Sequence, residues 1–327
     1  MGFAGRLIMY LMPVIPKFII RWVAKRYVAG HNITEAINVM KRLSSENACF
    51  TVDVLGEEIS SMDEVSFFQD EYSNLIDEII KNNLDANISL KPTAFGLLID
   101  ESEALKNIER IVRKAANHGM FVRLDMEDHR VTQRTIDLVL SLHEIGLENV
   151  GTVFQARLFR TEKDIVEMQQ KLAGKSDIRI CKGIYLESND IAHTSYRDIV
   201  NATNSSIDLL LDCKSYTAIA SHDIPVIEHS LNALKSRGFI TENNQTNSSE
   251  DHTMIWGNGK GPGYEFQMLL GVRGDIRRKL SSDGHRTRIY LPYGKHWYEY
   301  SMRRLRENPD VAWHVAKSLV MPWTNRR

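Results

Sequence analysis

Short apolar runs recur along the chain, separated by longer stretches in which apolar residues return every three to four positions. The first pattern suits buried strands and the second amphipathic helices. The runs predict strands over residues 49–55, 86–91, 120–126, 150–156, 178–183, 216–221, 266–271 and 288–291. A helical N-terminal region reaches to about Leu43, and later helices include 65–82, 103–118, 132–145, 162–172 and 195–213. Strands alternating with helices in this way point to a (βα)8 barrel rather than a doubly wound sheet. One connection breaks the rhythm. Residues 236–263 carry a polar, Asn- and Ser-rich insert and then a glycine run, read here as a loop because no strand-to-helix context or Gly-Lys-Ser/Thr ending supports a phosphate loop.

Composition narrows the class. The chain has 327 residues, 43% hydrophobic and 25% charged, as in ordinary soluble globular proteins. A net charge of -1 supplies no general attraction to nucleic acid, which is not expected as a partner. Cys49, Cys181 and Cys213 lack paired spacing, which argues against a disulfide framework and favours a reducing, cytoplasmic setting. The apolar-rich segment 7–28 is interrupted by Pro13, Pro16, Lys17, Arg21, Lys25 and Arg26, so neither a spanning helix nor a signal peptide is expected. Phe18 and Trp22 beside these cations leave two readings open: a packing arm, or a helix in peripheral contact with the inner face of the membrane.

In such a barrel the active site lies at the C-terminal ends of the strands. Polar residues gather there: Lys91; Asp125, Met126 and Glu127; Gln155 and Arg157; Arg179, Lys182 and Gly183; Ser221, His222 and Asp223; and Tyr290. The block 288–309 reads as a strand, a Pro/Gly turn and a helix stopped by Asn308-Pro309. On that helix Tyr300, Arg303, Arg304 and Glu307 share one face, either a solvated basic face or a receptor for a carboxylate. Ser221-His222-Asp223 are sequence neighbours with no nucleophile elbow, which disfavours a hydrolase. His222, Asp125 and Glu127 lack metal-ligand spacing, and no metal is expected.

Taken in order, Val52-Asp-Val-Leu-Gly-Glu57, Ile88-Ser-Leu-Lys-Pro-Thr93, Arg123-Leu-Asp-Met-Glu127, Arg179-Ile-Cys-Lys-Gly-Ile-Tyr185, Ala220-Ser-His-Asp223, Glu265-Phe-Gln-Met-Leu-Leu-Gly271 and the Tyr290/Tyr300-X-X-Arg-Arg-X-X-Glu307 block resemble the monofunctional bacterial proline dehydrogenases. The resemblance implies a distorted (βα)8 barrel over 44–327, an N-terminal helical arm over 1–43, and a last helix lying over the barrel mouth. It implies FAD-dependent oxidation of L-proline to Δ1-pyrroline-5-carboxylate, with a membrane quinone as electron acceptor and a pyrroline-5-carboxylate dehydrogenase as metabolic successor. By the same resemblance Arg303, Arg304 and Lys91 hold the substrate carboxylate and Glu307 pairs with the arginines. Tyr185, Leu269, Tyr290 and Tyr300 wall the ring, and Asp125 and Arg179 are catalytically important, Arg179 near the flavin N5. Met126, Gln155, Arg179, Lys182, Gly183, Ile184, Ser221 and His222 match cofactor-contacting positions. Three positions depart from the family pattern: Ile184 is bulkier than the usual alanine, Leu186 replaces a frequent aromatic, and Asp223 replaces an amide. The alternatives are hydroxyproline or another substrate of a flavin barrel, and a catalytically silent proline-binding scaffold.

Overall fold

The computed structural model describes residues 24–240, 263–298 and 300–301. Its strands, β1 (Ala48–Val54), β2 (Ala86–Leu90), β3 (Val122–Leu124), β4 (Val150–Gln155), β5 (Asp177–Cys181), β6 (Tyr216–Ala220), β7 (Gly263–Leu269) and β8 (Thr287–Tyr293), close into a barrel in sequence order. Every neighbouring pair is parallel, and β1 closes on β8 over a seven-residue register, Ala48↔Thr287 to Val54↔Tyr293. Helix α1 (Ile33–Ser44) precedes the barrel. Helices α2 (Val65–Lys81), α3 (Glu101–Ala116), α4 (Thr132–Glu144), α5 (Thr161–Lys171), α6 (Tyr196–Asp212), α7 (Ile224–Ser236) and α8 (Gly274–Ser282) follow successive strands. The expected alternation is therefore present.

The strands are apolar toward the helices. Phe50, Val52, Ile88, Leu90, Leu124 and Ile178 are buried against helical faces that present Leu75, Ile76, Ile79, Ile108, Val112 and Val139. Successive strand side chains point to opposite faces, so the residues between them must face the barrel interior. Several helices start where the sequence supplies a cap. Asn32, Asp100 and Ser195 accept the backbone N–H of Glu35, Glu103 and Asp198 at 2.9, 3.0 and 3.1 Å. Helix α1 contributes Ala36, Ile37 and Met40 to the same core.

Some boundaries differ from the sequence expectation. Strand β3 is only three residues long, because beyond Leu124 the chain turns Asp125 toward the barrel mouth. Strand β7 starts at Gly263, inside the glycine run read as a loop, because Gly263 to Gln267 pair with β6. Residues 241–262, most of the expected insert, lie outside the described residues, as do residues 1–23 of the N-terminal arm. Residues 24–30 cross the ends of β7 and β8, where Ala29 N–H donates to the Pro292 carbonyl at 2.8 Å. Gly271, at φ +75°, is required there because a Cβ would stand 2.0 Å from the Arg26 carbonyl oxygen. Among the described residues no helix is long and apolar enough to cross a membrane.

Candidate active site

Two layers of charge fill the barrel interior. The lower layer joins β3 to β5 and β7 to β8. Arg123 is fully buried, pairs with the Asp177 carboxylate, and donates to the Asp177 and Thr152 carbonyls at 2.7 and 2.9 Å. Arg288 donates to Glu265 Oε1 at 2.7 Å and to the Phe50 carbonyl at 2.6 Å. Burial alone would raise the Glu265 pKa, but Arg288 and Arg286 overcome it and bring it down to about 2.

The upper layer sits where β1, β2, β3, β5 and β8 end. Asp125 is its centre. One carboxylate oxygen accepts from Ser89 Oγ at 2.6 Å and Arg179 Nη1 at 2.7 Å, and the other accepts from the Tyr290 hydroxyl at 2.7 Å. Burial pushes its pKa up, yet Arg179, Lys91 and these hydrogen bonds leave it below the ordinary carboxylate value. Arg179 also donates through Nε to Gln267 Oε1 at 2.5 Å and lies 5.3 Å from the Tyr290 ring centroid. Gln267 in turn donates to Glu265, so one amide connects the layers. Among the described residues Arg179 Nη2 is buried without a hydrogen-bond acceptor.

Lys91, expected at the substrate carboxylate, stands 2.7 Å from both oxygens of the fully buried Asp53. Burial lowers the Lys91 pKa, but Asp53, Asp125 and Glu127 together hold it above its ordinary value, so the ammonium stays charged. Asp53 uses at most two of its three N–H groups. Beside it Glu127 accepts from the Thr93 N–H at 3.0 Å and the Thr93 hydroxyl at 2.5 Å. Burial raises Glu127 to about 7 despite those bonds. Lys91 and the buried Tyr300 also line a cleft of about 490 Å³ with Leu55, Glu57, Phe67 and His296. Arg303, Arg304 and Glu307 lie outside the described residues.

The remaining candidates follow β3, β4, β5 and β6. Met126 is buried, and Gln155 Nε2 donates to the Glu127 carbonyl at 2.7 Å. Gly183 has φ +93°, and a Cβ there would lie 2.8 Å from both Gln155 Oε1 and Arg157 Cδ, so the bend admits only glycine without strain. Arg157 supports the turn by donating to the Tyr185 carbonyl at 2.5 Å. Tyr185 and Leu269 are half-buried, and Ile184 and Leu186 are 43% and 97% exposed. Lys182 pairs with Asp223 and lies 4.4 Å from the Tyr196 ring centroid.

Ser221, His222 and Asp223 face different partners. Ser221 Oγ accepts the Asp223 N–H at 3.1 Å, His222 Nε2 accepts the Leu269 N–H at 2.9 Å, and Asp223 turns to Lys182. That is no acyl-transfer relay. Asp53, Ser89, Thr93 and Gln267 are not among the site residues expected from the sequence, and Glu127, a strand-end candidate there, takes Thr93 as its partner. A polar residue between two buried apolar neighbours, as in Val52-Asp53-Val54, was the available signal.

Comparison with known proteins agrees with this geometry. A sequence profile of the family described as proline dehydrogenase matches residues 36–317. Proline dehydrogenase 1 of Bacillus subtilis subsp. natto is 33% identical over 297 residues, covering 91% of this chain and 90% of that protein. Proline dehydrogenase of Deinococcus radiodurans is 32% identical over 301 residues, with the same two coverages. In fold, the chain is similar to the crystal structure of proline utilization A from Bdellovibrio bacteriovorus inactivated by N-propargylglycine. The TM-score is 0.76 at 22% identity, over 88% of this chain. The chain spans about a third of that larger protein, matching 33% of it. The barrel, its polar mouth and its relatives lead to one conclusion: the chain belongs to the proline dehydrogenase family.

Proposed function

We propose that this chain oxidises L-proline to Δ1-pyrroline-5-carboxylate with bound FAD, the electrons passing on to a quinone. The observation that carries this reading is Arg179. It is a buried cation at the end of the barrel axis, oriented by Asp125 and Gln267, with an N–H that meets no acceptor among the described residues. A buried donor left open is costly, so the site is suited to a ligand that brings an acceptor. The glycine-only bend at Gly183 and the neighbouring Lys182 ammonium suit the approach of a phosphate-bearing cofactor. The residues present therefore fit a flavin dinucleotide.

When bound, the flavin supplies the two-electron acceptor for a hydride equivalent from the substrate carbon beside the ring nitrogen. The protein supplies position and charge. Lys91, with Arg303 and Arg304 as the matching family positions, holds the substrate carboxylate, and Glu307 pairs with the arginines. Tyr185, Leu269, Tyr290 and Tyr300 enclose the ring. Fixing a small substrate at its carboxylate converts binding energy into orientation of the reacting carbon. Arg179 would hold positive charge near the bound flavin and favour its reduced form, and Asp125, with Ser89 and Tyr290, keeps that guanidinium in place. Met126, Gln155, Lys182, Gly183, Ile184, Ser221 and His222, the matching family positions, would hold the cofactor.

The test is anaerobic reduction. The purified protein is expected to be yellow and to bleach on addition of L-proline. A yellow protein unmoved by proline but bleached by hydroxyproline reassigns the substrate, and a colourless protein that takes up no FAD removes the flavin reading. Arg303→Met and Arg304→Met should each raise the proline KM about 30- to 1000-fold, the loss of roughly 2–4 kcal/mol for one bidentate charged contact. Ordinary saturation by proline in both variants overturns the carboxylate clamp.

A further inference from the structure

The ends of β5 and β6 hold a second anionic group whose role the reaction does not explain. Asp223 is the N-cap residue of α7, but its side chain caps nothing. It forms an ion pair with Lys182 and accepts the Tyr196 hydroxyl at 3.0 Å. The Lys182 ammonium lies 4.4 Å from the Tyr196 ring centroid, so carboxylate and aromatic ring flank it together. Both side chains of the ion pair are 26% exposed, within reach of a ligand in the mouth.

We propose that Asp223 is an internal counterion that weakens the grip of this barrel on the pyrophosphate of its dinucleotide cofactor. The proposal rests on the flavin reading above. Lys182 and the N-terminal end of α7 are the favourable electrostatic features on this side of the mouth, and an incoming phosphate is drawn to both. Asp223 already neutralises the first and stands at the second. A phosphate that shares them meets a fixed like charge. At about 6 Å and an effective dielectric of about 40, one unit charge changes affinity about tenfold. An amide at the same position has no charge, can still accept from Tyr196, and can donate to a phosphate oxygen. Asp223 is thus a specificity residue acting on the phosphate part of the cofactor and not on its ring system.

The experiment titrates the full chain, stripped of flavin, with FAD and separately with riboflavin, which has the ring but no phosphate, following flavin fluorescence. Asp223→Asn and Asp223→Ala are compared with the natural chain, and circular dichroism confirms that each is folded. Both variants are expected to bind FAD about tenfold more tightly and riboflavin unchanged, with the FAD gain shrinking as salt rises. Looser FAD binding in both variants overturns the proposal and makes Asp223 a positioner of Lys182. Unchanged FAD affinity, or an equal gain for riboflavin, also overturns it while leaving the flavin reading intact. Failure of the natural chain and both variants to bind FAD removes the flavin reading itself, and this proposal with it.

Discussion

The two charged layers inside this barrel use the same residue types to opposite ends. In the lower layer Glu265 meets Arg288 and Arg286, and Arg123 meets Asp177. In the upper layer Asp125 holds Arg179 and Asp53 holds Lys91, while a buried carboxyl, Glu127, accepts hydrogen bonds from Thr93 alone among the described residues; each layer leaves one buried guanidinium N–H without an acceptor among those residues, Arg123 Nε below and Arg179 Nη2 above. The two buried glutamates show the difference most clearly. Paired with guanidiniums, Glu265 falls to about 2, whereas Glu127, dominated by burial, rises to about 7. Burial of charge does not by itself mark a site. An open buried donor occurs in both layers, so the carboxyls separate them: the one matched by guanidiniums marks structure, and the one held by burial in its neutral form marks the layer open to a ligand.

Breaking the lower layer should have the largest effect, and on stability. Glu265→Gln leaves Arg288 buried without its counter-charge, which costs about 3–5 kcal/mol at pH 7. Because the folded pKa of Glu265 lies below its unfolded value, its contribution is complete above about 4.5 and is lost as pH falls toward about 2. Urea unfolding of natural and variant chains should therefore differ most at neutral pH and converge in strong acid. A variant of full stability but lost activity would move Glu265 into the site.

Arg179→Met should act on the reaction first. On the proposed reading, in which Arg179 stands beside the reacting centre, removing its charge should lower kcat by about 10²- to 10³-fold, roughly 3–4 kcal/mol of transition-state stabilisation. Asp125 keeps its bonds from Ser89 and Tyr290, so the stability loss should be smaller than for Glu265→Gln. Steady-state kinetics and urea titration of one preparation measure both. A large loss of stability with unchanged kcat would assign Arg179 to the scaffold.

Much of this division was legible in the chain. Eight apolar runs alternating with helical periods imply the barrel, and barrel geometry then brings the polar strand ends Lys91, Asp125, Arg179 and Tyr290 together although they are far apart in sequence. The partners were harder to read. Asp53, Ser89 and Gln267 each stand within an apolar run, where a single polar residue carries no mark of the side chain it will meet. Their pairing depends on strand register, as when Ser89 aligns with both Asp53 and Arg123 across neighbouring strands. Register belongs to the closed sheet and is not written in local periodicity. By sequence Asp223, the residue before α7, suits either a helix cap or a salt bridge; its side chain caps nothing, and the turn after β5 brings Lys182 to it as the ion-pair partner.

Glu127 offers the finest separation of the layers, because its pH dependence should run opposite to that of Glu265. An acid whose folded pKa is raised keeps its full contribution below its unfolded value and loses it as pH rises through the folded one. For Glu127 that window runs from about 4.5 to about 7, and ionising the buried group costs up to about 3 kcal/mol at pH 8. Glu127→Gln keeps the shape and removes the charge, while one of the two Thr93 bonds is weakened at a cost of about 1 kcal/mol. The variant should thus be about 2 kcal/mol more stable than the natural chain at pH 8, and slightly less stable at pH 4. Urea midpoints across that range test the crossing. A variant less stable at both ends would mean that Glu127 is as fully compensated as Glu265, and the contrast between the layers would fall.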